Sequence, residues 1–440
     1  MPFASRPLIL SAWFPETGRP IHGQEDVPEL FPAWTLLPFA LLVLGIAVLP
    51  LLRPHLWERT LVQVAFSAGC AAPLVVYCLV SGLQQGLLEA AHSYASFVLT
   101  LGALYVVASG VFVAGDIEGT PRNNLLFLVF GSLLASVIGT TGASILLLRP
   151  LLRSNRQREQ RAHLIPFFIL AVANAGGLLT PLGDPPLLIG YLEGVPFFWT
   201  LSLWPYWLWY VGGICAASYW VDRRAYAREP ARALDADRAA REPLSLRGAY
   251  NLGLLALVVA AVTLPTPWRE FALIVLTVGS YLGTPRALHQ QNDFSFAPIR
   301  EVAVLFAGLF VCLMPIEVNL AAAATQLPLT EPWQVFWSTG ALSSLLDNAP
   351  TYAAFSALAR GLSHAEPELV AGMSPSLLTA VSVGSVVMGA TTYIGNGPNL
   401  MVRAIAVRSG QPMPDFLRYA AFALLVLLPL HLGTTLALLR

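Results

Sequence analysis

Long apolar blocks separated by short polar breaks dominate the chain from residue 33 onward. A helix needs about 20 residues to cross the hydrocarbon core of a bilayer, and most of these blocks reach that length. The blocks before the charged segment 222–247 are 33–52, 61–82, 96–115, 124–152, 163–192 and 198–221, and those after it are 248–264, 267–283, 301–325, 332–359, 377–407 and 416–439. The pattern therefore predicts an all-α polytopic membrane protein.

Two of the blocks, 124–152 and 332–359, carry polar turn residues at their centres. The first reads Ile138-Gly-Thr-Thr-Gly-Ala-Ser144, and the second reads Leu345-Leu-Asp-Asn-Ala-Pro-Thr351. Such a segment fits a re-entrant hairpin, which enters the membrane and returns to the side it came from. The predicted hairpin tips are Thr140, Thr141, Gly142, Ala349 and Pro350.

The block that follows each of these, 163–192 and 377–407, is broken in its middle by glycine and proline. Pro lacks a backbone donor and clashes with the preceding turn, so this density of Pro and Gly ends a helix. Broken backbone at membrane depth is tolerated only where protein or a watery cavity satisfies it. The residues predicted to shape the broken backbone are Gly176, Gly177, Pro181, Gly183, Pro185, Gly395, Gly397 and Pro398.

The order of blocks before the charged segment 222–247 is repeated after it, which indicates an internal repeat. We predict an extramembrane segment at 1–32, a first repeat at 33–221, a cytoplasmic linker at 222–247 and a second repeat at 248–440. If the polar-centred blocks are hairpins, each repeat crosses the membrane an odd number of times. The two repeats are then inverted, with about ten spans plus two re-entrant hairpins and two broken helices.

The distribution of arginine supports the inverted arrangement. All 25 cationic residues are Arg, and the hairpin topology places 20 of them on one side of the membrane. If both polar-centred blocks span instead, the split is 18 to 7. Cytoplasmic loops carry the excess of positive charge, which favours hairpins. Under this topology both termini lie on the non-cytoplasmic side of a cell (inner) membrane.

The composition excludes several classes of protein. Hydrophobic residues make up 56% of the 440 residues and charged residues only 11%, whereas a soluble domain carries about 25% charged residues. This excludes a nucleic-acid binder and a soluble enzyme. The four cysteines lie inside apolar blocks without the spacing of a metal or redox site, and we expect them to be buried.

Three acidic residues lie well inside apolar blocks: Asp184, Glu317 and Asp347. A charge at the bilayer centre costs at least about 2.5–3.5 kcal/mol, and two of the three lie at the broken sites. A carboxylate in a low-dielectric site can exchange a proton for a cation. The alternative is that each Asp caps the start of a half-helix.

Neutral oxygen-bearing residues surround the same positions. Sodium prefers oxygen ligands, and interrupted helices supply carbonyls together with Asn and Thr side chains. The predicted ion- or proton-binding residues, which would also form any Na⁺ site, are Asp184, Asp347, Asn174, Thr180, Asn348, Thr351, Asn396 and Asn399. The Thr and Asn side chains can equally serve to satisfy broken backbone, and half-helix N-termini can equally hold an anion.

These motifs resemble those of the ion transporter superfamily, which groups NhaD-type sodium/proton antiporters, arsenite permeases and citrate or dicarboxylate transporters. The likeness is to its citrate-transporter/sodium:proton antiporter branch. It lies in Gly139–Arg153, Asn174–Pro186, Asp347–Thr351 and Ile394–Asn399. The resemblance implies inverted repeats, two hairpins, two broken helices that meet at a central site, and often a dimer with an elevator-type motion.

The substrate implied by the resemblance depends on the hairpin tips. Sodium-coupled dicarboxylate members carry Ser-Asn-Thr at both tips, whereas this chain has Thr140-Thr-Gly142 and Asp347-Asn-Ala349. The acids at Asp184 and Asp347 resemble the cation/proton exchangers more. We therefore expect an antiporter that exchanges Na⁺ for H⁺ by alternating access, with a sodium- or proton-coupled citrate or dicarboxylate transporter as the alternative.

Other classes fit less well. An intramembrane aspartyl protease also has two buried Asp, but it pairs Tyr-Asp with Gly-x-Gly-Asp, unlike Leu346-Asp347 and Pro181-Leu-Gly-Asp184. A channel would lack a constriction that closes on one side at a time. We expect a transport protein and not an enzyme, with no cofactor and no nucleic-acid partner. Its partners are the lipid bilayer, a small ion or organic anion and, following the resemblance, a second copy in a homodimer.

Overall fold

The computed structural model describes residues 31–57, 59–363 and 367–438, and nearly all of this part of the chain is helical. The first repeat contains α1 (Leu36–Leu52), α2 (Pro54–Trp57), α3 (Thr60–Val80), α4 (Gln84–Ser109), α5 (Pro121–Ser154), α6 (Leu164–Ala171), α7 (Pro185–Leu192) and α8 (Trp204–Tyr226). The connecting segment contains α9 (Ala231–Ala239). The second repeat contains α10 (Tyr250–Val262), α11 (Trp268–Gly283), α12 (Arg286–Gln291), α13 (Ala297–Ala323), α14 (Pro332–Leu345), α15 (Asn348–Leu362), α16 (Pro375–Met388), α17 (Gly397–Arg408) and α18 (Phe416–Leu438).

Six described helical segments are long and apolar enough to cross a membrane, and further apolar helices are shorter. The six are Ala33–Pro50, Thr60–Val80, Gln84–Ser109, Pro121–Ser154, Ala297–Gln326 and Phe416–Leu438. The predicted all-α polytopic membrane fold is confirmed. The four cysteines are free and buried, as expected.

The first polar-centred block, α5, is a hairpin. Its backbone leaves the helical region at Gly139, where φ is +83°, a conformation that only glycine adopts without strain. At the two ends of the block, the Asn124 Nδ2 donates to Asn155 Oδ1 at 3.0 Å. A straight helix would separate these two residues by about 46 Å. The chain therefore turns back on itself, beside the predicted tip residues Thr140 and Thr141.

The second polar-centred block consists of α14 and α15, and the direction of each helix can be read from its contacts with α16. The helix α14 runs parallel to α16. A Cβ at Gly384 would meet the Phe336 carbonyl oxygen, and one turn further along both helices a Cβ at Gly340 would overlap the Met388 side chain.

The helix α15 runs in the opposite direction along α16. Its first residue, Asn348, lies against Gly389 at the end of α16. Just beyond its last residue, the Ser363 Oγ accepts a hydrogen bond from the Ser374 N at the start of α16, at 2.8 Å. Since α14 is parallel to α16 and α15 is antiparallel to it, the second block is also a hairpin.

The two broken spans are inverted relative to each other. The first span consists of α6, a 3₁₀ segment at Ala175–Leu179 and α7, and the second consists of α16, a 3₁₀ segment at Gly389–Thr391 and α17. The leading half of each span packs against the trailing half of the other: α6 against α17, and α7 against α16. The spans therefore cross antiparallel, as the inverted repeat requires.

Some boundaries and elements differ from the sequence-based expectation. The helix α4 begins at Gln84 and not near residue 96, and the aromatic stretch Phe197–Leu203 forms a 3₁₀ turn before α8. Two strands, β1 (Phe112–Asp116) and β2 (Glu242–Arg247), form an antiparallel pair that joins the end of α4 to the segment before α10. In the predicted N-terminal segment 1–32, residues 1–30 lie outside the described residues.

The backbone at Gly183 packs directly against the backbone at Gly177 in the broken first span. This contact leaves no room for a side chain at Gly183. A Cβ at Gly183 would overlap the Gly177 carbonyl oxygen, whereas a Cβ at Gly212 in α8 would meet nothing within 4 Å. We expect Gly183→Ala to lower the stability by about 1–3 kcal/mol, the usual cost of overpacking. The matched Gly212→Ala should leave it unchanged or slightly raised. Thermal unfolding of both variants in detergent measures this, and equal unfolding temperatures would contradict the assignment.

Candidate functional site

The Asp184 carboxylate lies at the centre of the protein and is hydrogen-bonded by both repeats. Asp184 occupies the N-cap position of α7 and is 2% exposed. Its Oδ1 accepts hydrogen bonds from the Thr140 hydroxyl at 2.8 Å and from the Asn396 Nδ2 at 3.2 Å. Its Oδ2 accepts one from the Asn348 Nδ2 at 2.5 Å. Three predicted site residues therefore meet at one carboxylate.

Each of these residues stands at the start of a helix. Thr140 begins the returning leg of α5, and Asn348 begins α15. Asp184 and Asn396 occupy the N-cap positions of α7 and α17, although neither side chain makes a capping hydrogen bond. The N-terminus of a helix carries roughly half a positive charge from its aligned peptide dipoles. Four such ends converge on one carboxylate, and they supply the positive potential that a buried anion needs.

Three asparagines join the broken spans next to the carboxylate. Asn396 donates through Nδ2 to the Asn174 Oδ1 and to the Ala173 carbonyl, both at 3.1 Å. The Asn174 Nδ2 donates to the Asn399 Oδ1 at 2.7 Å. The three side chains are at most 1% exposed. The network links the first span to the second at the point where both are interrupted.

Asn399 also satisfies the broken backbone of its own span. Its Nδ2 donates to the Gly389 carbonyl at 3.0 Å and to the Thr392 carbonyl at 2.9 Å. These carbonyls belong to the 3₁₀ segment and the residue after it, where the regular helical partners are missing. The role of Asn399 is therefore to close the interruption and to tie it to Asn174.

Each hairpin is fastened to its broken span by the same pair of hydroxyl bonds. In the first repeat, the Ser136 Oγ donates to the Gly176 carbonyl, and the Thr180 Oγ1 donates to the Ser136 carbonyl. This contact places Thr180 as a support for the hairpin. Its hydroxyl does not reach the Asp184 carboxylate.

The second repeat has the equivalent bonds. The Ser344 Oγ donates to the Met388 carbonyl at 3.0 Å, and the Thr392 Oγ1 donates to the Ser344 carbonyl at 2.6 Å. Matching the two repeats in this way makes Asn396 the counterpart of Asp184 and Asn348 the counterpart of Thr140. The pseudo-symmetric site therefore carries an acid in one broken span and an amide in the other.

Asp347 lies beside this site and does not join it by a hydrogen bond. It is the N-cap of α15, is partly exposed, and its counterpart in the first repeat is Gly139. Thr351 donates its hydroxyl to the Asp347 carbonyl at 2.9 Å, one turn away in the same helix. Of the two predicted acids, Asp184 accepts hydrogen bonds from both repeats, whereas Asp347 lies beside it without such a bond.

The remaining predicted residues shape the backbone. Gly177 and Gly183 approach each other in the first span, as Gly389 and Gly395 do in the second. Gly397 and Pro398 begin α17, and Pro185 begins α7. The other predicted residues at the tips and interruptions are mostly buried. Thr141 is partly buried, and the fully buried ones are Gly142, Ala349, Pro350, Gly176 and Pro181.

Two features of the structure, one at the site and one at the far end of α7 and α15, do not stand out in the sequence. The serines that fasten the hairpins, Ser136 and Ser344, lie four residues before Thr140 and Asn348. Aligning the two hairpins by this spacing could have found them. The ion pair between Glu193 and Arg360 lacks such a signal, because its members are 167 residues apart.

Comparison with known proteins agrees with this architecture. A family described as "Putative citrate transport" matches residues 29–439. The chain belongs to this family. The match covers both repeats and the site between them, and it supports the likeness to the citrate-transporter branch of the ion transporter superfamily.

Individual relatives are similar over most of their length. An uncharacterized transporter of Synechocystis sp. is 24% identical over 410 residues, which cover 81% of this chain and 89% of the relative. An uncharacterized transporter of Mycobacterium tuberculosis is 27% identical over 330 residues, which cover 69% of this chain and 74% of the relative. The family and the relatives indicate a transport protein in the membrane.

Asn399, which satisfies the broken backbone of the second span, should contribute to the free energy of unfolding. Asn399→Ala removes one acceptor from Asn174 and two donors to backbone carbonyls. A buried polar group left without a partner costs about 1–3 kcal/mol, so we expect a loss of about 3 kcal/mol or more. Thr351→Ala, which removes a bond within one helix turn, should have a small effect. Unfolding in detergent compares the two, and a wild-type transition for Asn399→Ala would refute the role.

Proposed function

We propose that the protein exchanges a small cation, most simply Na⁺, for protons by alternating access, with Asp184 as the shared binding group. The observation that supports this most directly is the buried Asp184 carboxylate, held by donors from both hairpins and from the opposite broken span. A proton and a cation would compete for the same carboxylate. Binding of one then releases the other, which is the chemistry of an antiporter.

The charge at the site favours a cation over an organic anion. Within the described residues, no Arg or His side chain contacts the Asp184 carboxylate by a hydrogen bond or an ion pair. The Arg nearest in sequence to the second broken motif, Arg403, stacks over the Tyr393 ring and is exposed. A tricarboxylate placed here would meet a carboxylate without a guanidinium to balance it.

Oxygen ligands for a hard cation stand next to the carboxylate. The Asn348 Oδ1 is buried and has no hydrogen-bond partner among the described residues, while its Nδ2 donates to Asp184. The Thr140 hydroxyl also lies at the carboxylate. Carboxylate, amide and hydroxyl oxygens are the donor set that Na⁺ takes at interrupted helices.

Flux measurements on proteoliposomes test this function. We expect an imposed pH gradient to drive Na⁺ or Li⁺ flux in the wild type, and Asp184→Asn to abolish it, because the amide cannot exchange a proton. The matched control is Asp415→Asn, which changes an acid whose side chain is 59% exposed. Normal flux through Asp184→Asn would refute the proposal, provided the variant reaches the membrane and unfolds like the wild type.

A second function, transport of a citrate-like organic anion, is favoured by the four helix N-termini that face the site, because such ends bind carboxylates. The description of the family supports the same substrate class. The two functions give opposite results in the assay above when citrate and succinate are added. For an anion carrier, citrate or succinate flux should persist or increase in Asp184→Asn, since a repelling charge is removed.

A further inference from the structure

A second group of buried charges lies away from Asp184, where the far ends of α7 and α15 meet. Glu193 follows the last residue of α7, and Arg360 lies in the last turn of α15. The Arg360 Nη2 and the Glu193 Oε2 are 2.5 Å apart, with side chains 8% and 7% exposed. Because its two members come from different repeats, this ion pair joins repeat 1 to repeat 2.

A third charged residue, Glu317 of α13, faces the same pair. It is 6% exposed, and it lies one turn before Ala321, whose carbonyl oxygen a Cβ at Gly361, the residue after Arg360, would overlap. Among the described residues, Glu317 makes no hydrogen bond and no ion pair within 4.0 Å. A cavity of ≈ 10 Å³, about the space of one water molecule, is lined by Glu193 and Glu317 and otherwise mostly by apolar residues, including Ile189, Leu192, Phe310 and Leu313.

The charges of this glutamate–arginine cluster (Glu193, Glu317 and Arg360) do not balance. Two carboxylates share one guanidinium in an apolar surrounding, and an uncompensated charge is strongly disfavoured there. Glu193 already forms the close pair with Arg360. We propose that the cluster is a second proton-binding site, in which Glu317 holds the proton that makes the group neutral.

The other titratable groups on the helices packed against Glu317 do not remove the imbalance. On α15 the hydroxyl of Tyr352 lies against Gly190 of α7. The helices α4 and α3 also pack against α13. Their titratable residues near this level are Glu89, His92, Tyr94, Tyr77 and Cys78. Glu89 accepts a hydrogen bond from Gln85, and the Tyr94 hydroxyl donates to the Ala303 carbonyl.

The cluster is connected to the central site through two short helices. At one end of the α7–α15 pair, Asp184 accepts a hydrogen bond from Asn348 at 2.5 Å. At the other end, Glu193 pairs with Arg360 at 2.5 Å. If Glu317 loses its proton, its carboxylate competes with Glu193 for Arg360, and the Arg360–Glu193 ion pair weakens. Protonation of Glu317 therefore favours the Arg360–Glu193 pair. If the proposed function holds, this pair helps to set the position of α15 at the transport site, because Asn348 of the same helix donates to Asp184.

Infrared spectroscopy of the purified protein tests the proton directly, without a transport assay. A protonated carboxyl group has a C=O stretch, separate from the carboxylate bands, that shifts in D₂O. We expect Glu317→Gln to lose one such component. The matched control is Glu301→Gln, on the same helix, whose carboxylate accepts a hydrogen bond from the Trp57 Nε1 at 3.3 Å. An unchanged carboxyl region in Glu317→Gln would overturn the proposal.

The variant Glu193→Gln tests whether Glu317 holds its proton because the cluster has two carboxylates and one guanidinium. In Glu193→Gln the cluster retains one carboxylate and one guanidinium, so Glu317 should ionise and pair with Arg360. We therefore expect the same infrared component to disappear although Glu317 is present. If the C=O component persists in Glu193→Gln, the charge balance of the cluster does not determine the protonation of Glu317, and the proposal is wrong.

Stability measurements give an independent readout. Each single variant, Glu193→Gln or Glu317→Gln, leaves Arg360 one carboxylate, whereas the double variant leaves a buried guanidinium with none. We expect the double variant to lower the unfolding temperature by more than the sum of the two single changes. Additive changes would contradict a shared role. None of these outcomes depends on Asp184, so failure of the Na⁺/H⁺ proposal and failure of this one can be told apart.

Discussion

The burial of a polar group at the centre of the protein, the Asp184 carboxyl group, sets the requirements for the structure around it. Water does not solvate this group, because the residue is 2% exposed. Three side-chain donors do so, Thr140 and Asn348 at the hairpin tips and Asn396 at the opposite broken span. The four helix N-termini add their dipoles. Neither repeat could satisfy the carboxylate alone, so the antiparallel crossing of the two repeats is a condition for burying it.

The same constraint explains why the interrupted spans are rich in glycine and asparagine. Bringing a helix N-terminus to mid-membrane leaves carbonyls without helical partners, and these must be satisfied inside the protein. Asn399 does this for the second span, and the glycine pair Gly177 and Gly183 lets the first span fold closely on itself. The repeats share this construction but differ in charge, since Asn396 occupies the position equivalent to Asp184.

Much of this architecture could be predicted from the sequence because the signals are local. Apolar block length indicated the spans, and the polar segment Ile138–Ser144 and the Gly/Pro clusters marked the turns. The partners across the site could not be predicted, because pairing over long separations leaves no trace in one sequence. Asp347 looked equivalent to Asp184 by its setting in an apolar block, yet it lies at the edge of the site, and the donor from its own helix that reaches Asp184 is the next residue, Asn348. The β1–β2 pair was missed for the same reason: its partners are about 130 residues apart and neither strand is long enough to show a pattern.

In the sequence Arg360 is one of 25 arginines that enter the topology count, whereas in the structure it pairs with Glu193 of the other repeat. A buried ion pair adds little net stability compared with apolar packing, since desolvation offsets the attraction. Its value is in specificity, because Arg360 accepts few arrangements of α15 relative to α7. With Asn348 on Asp184 at the opposite end of the same two helices, α15 is held at both ends by polar contacts to α7. Any movement of α15 away from α7, such as the proposed alternating access could involve, would have to break the Asn348–Asp184 contact, the Arg360–Glu193 contact or both.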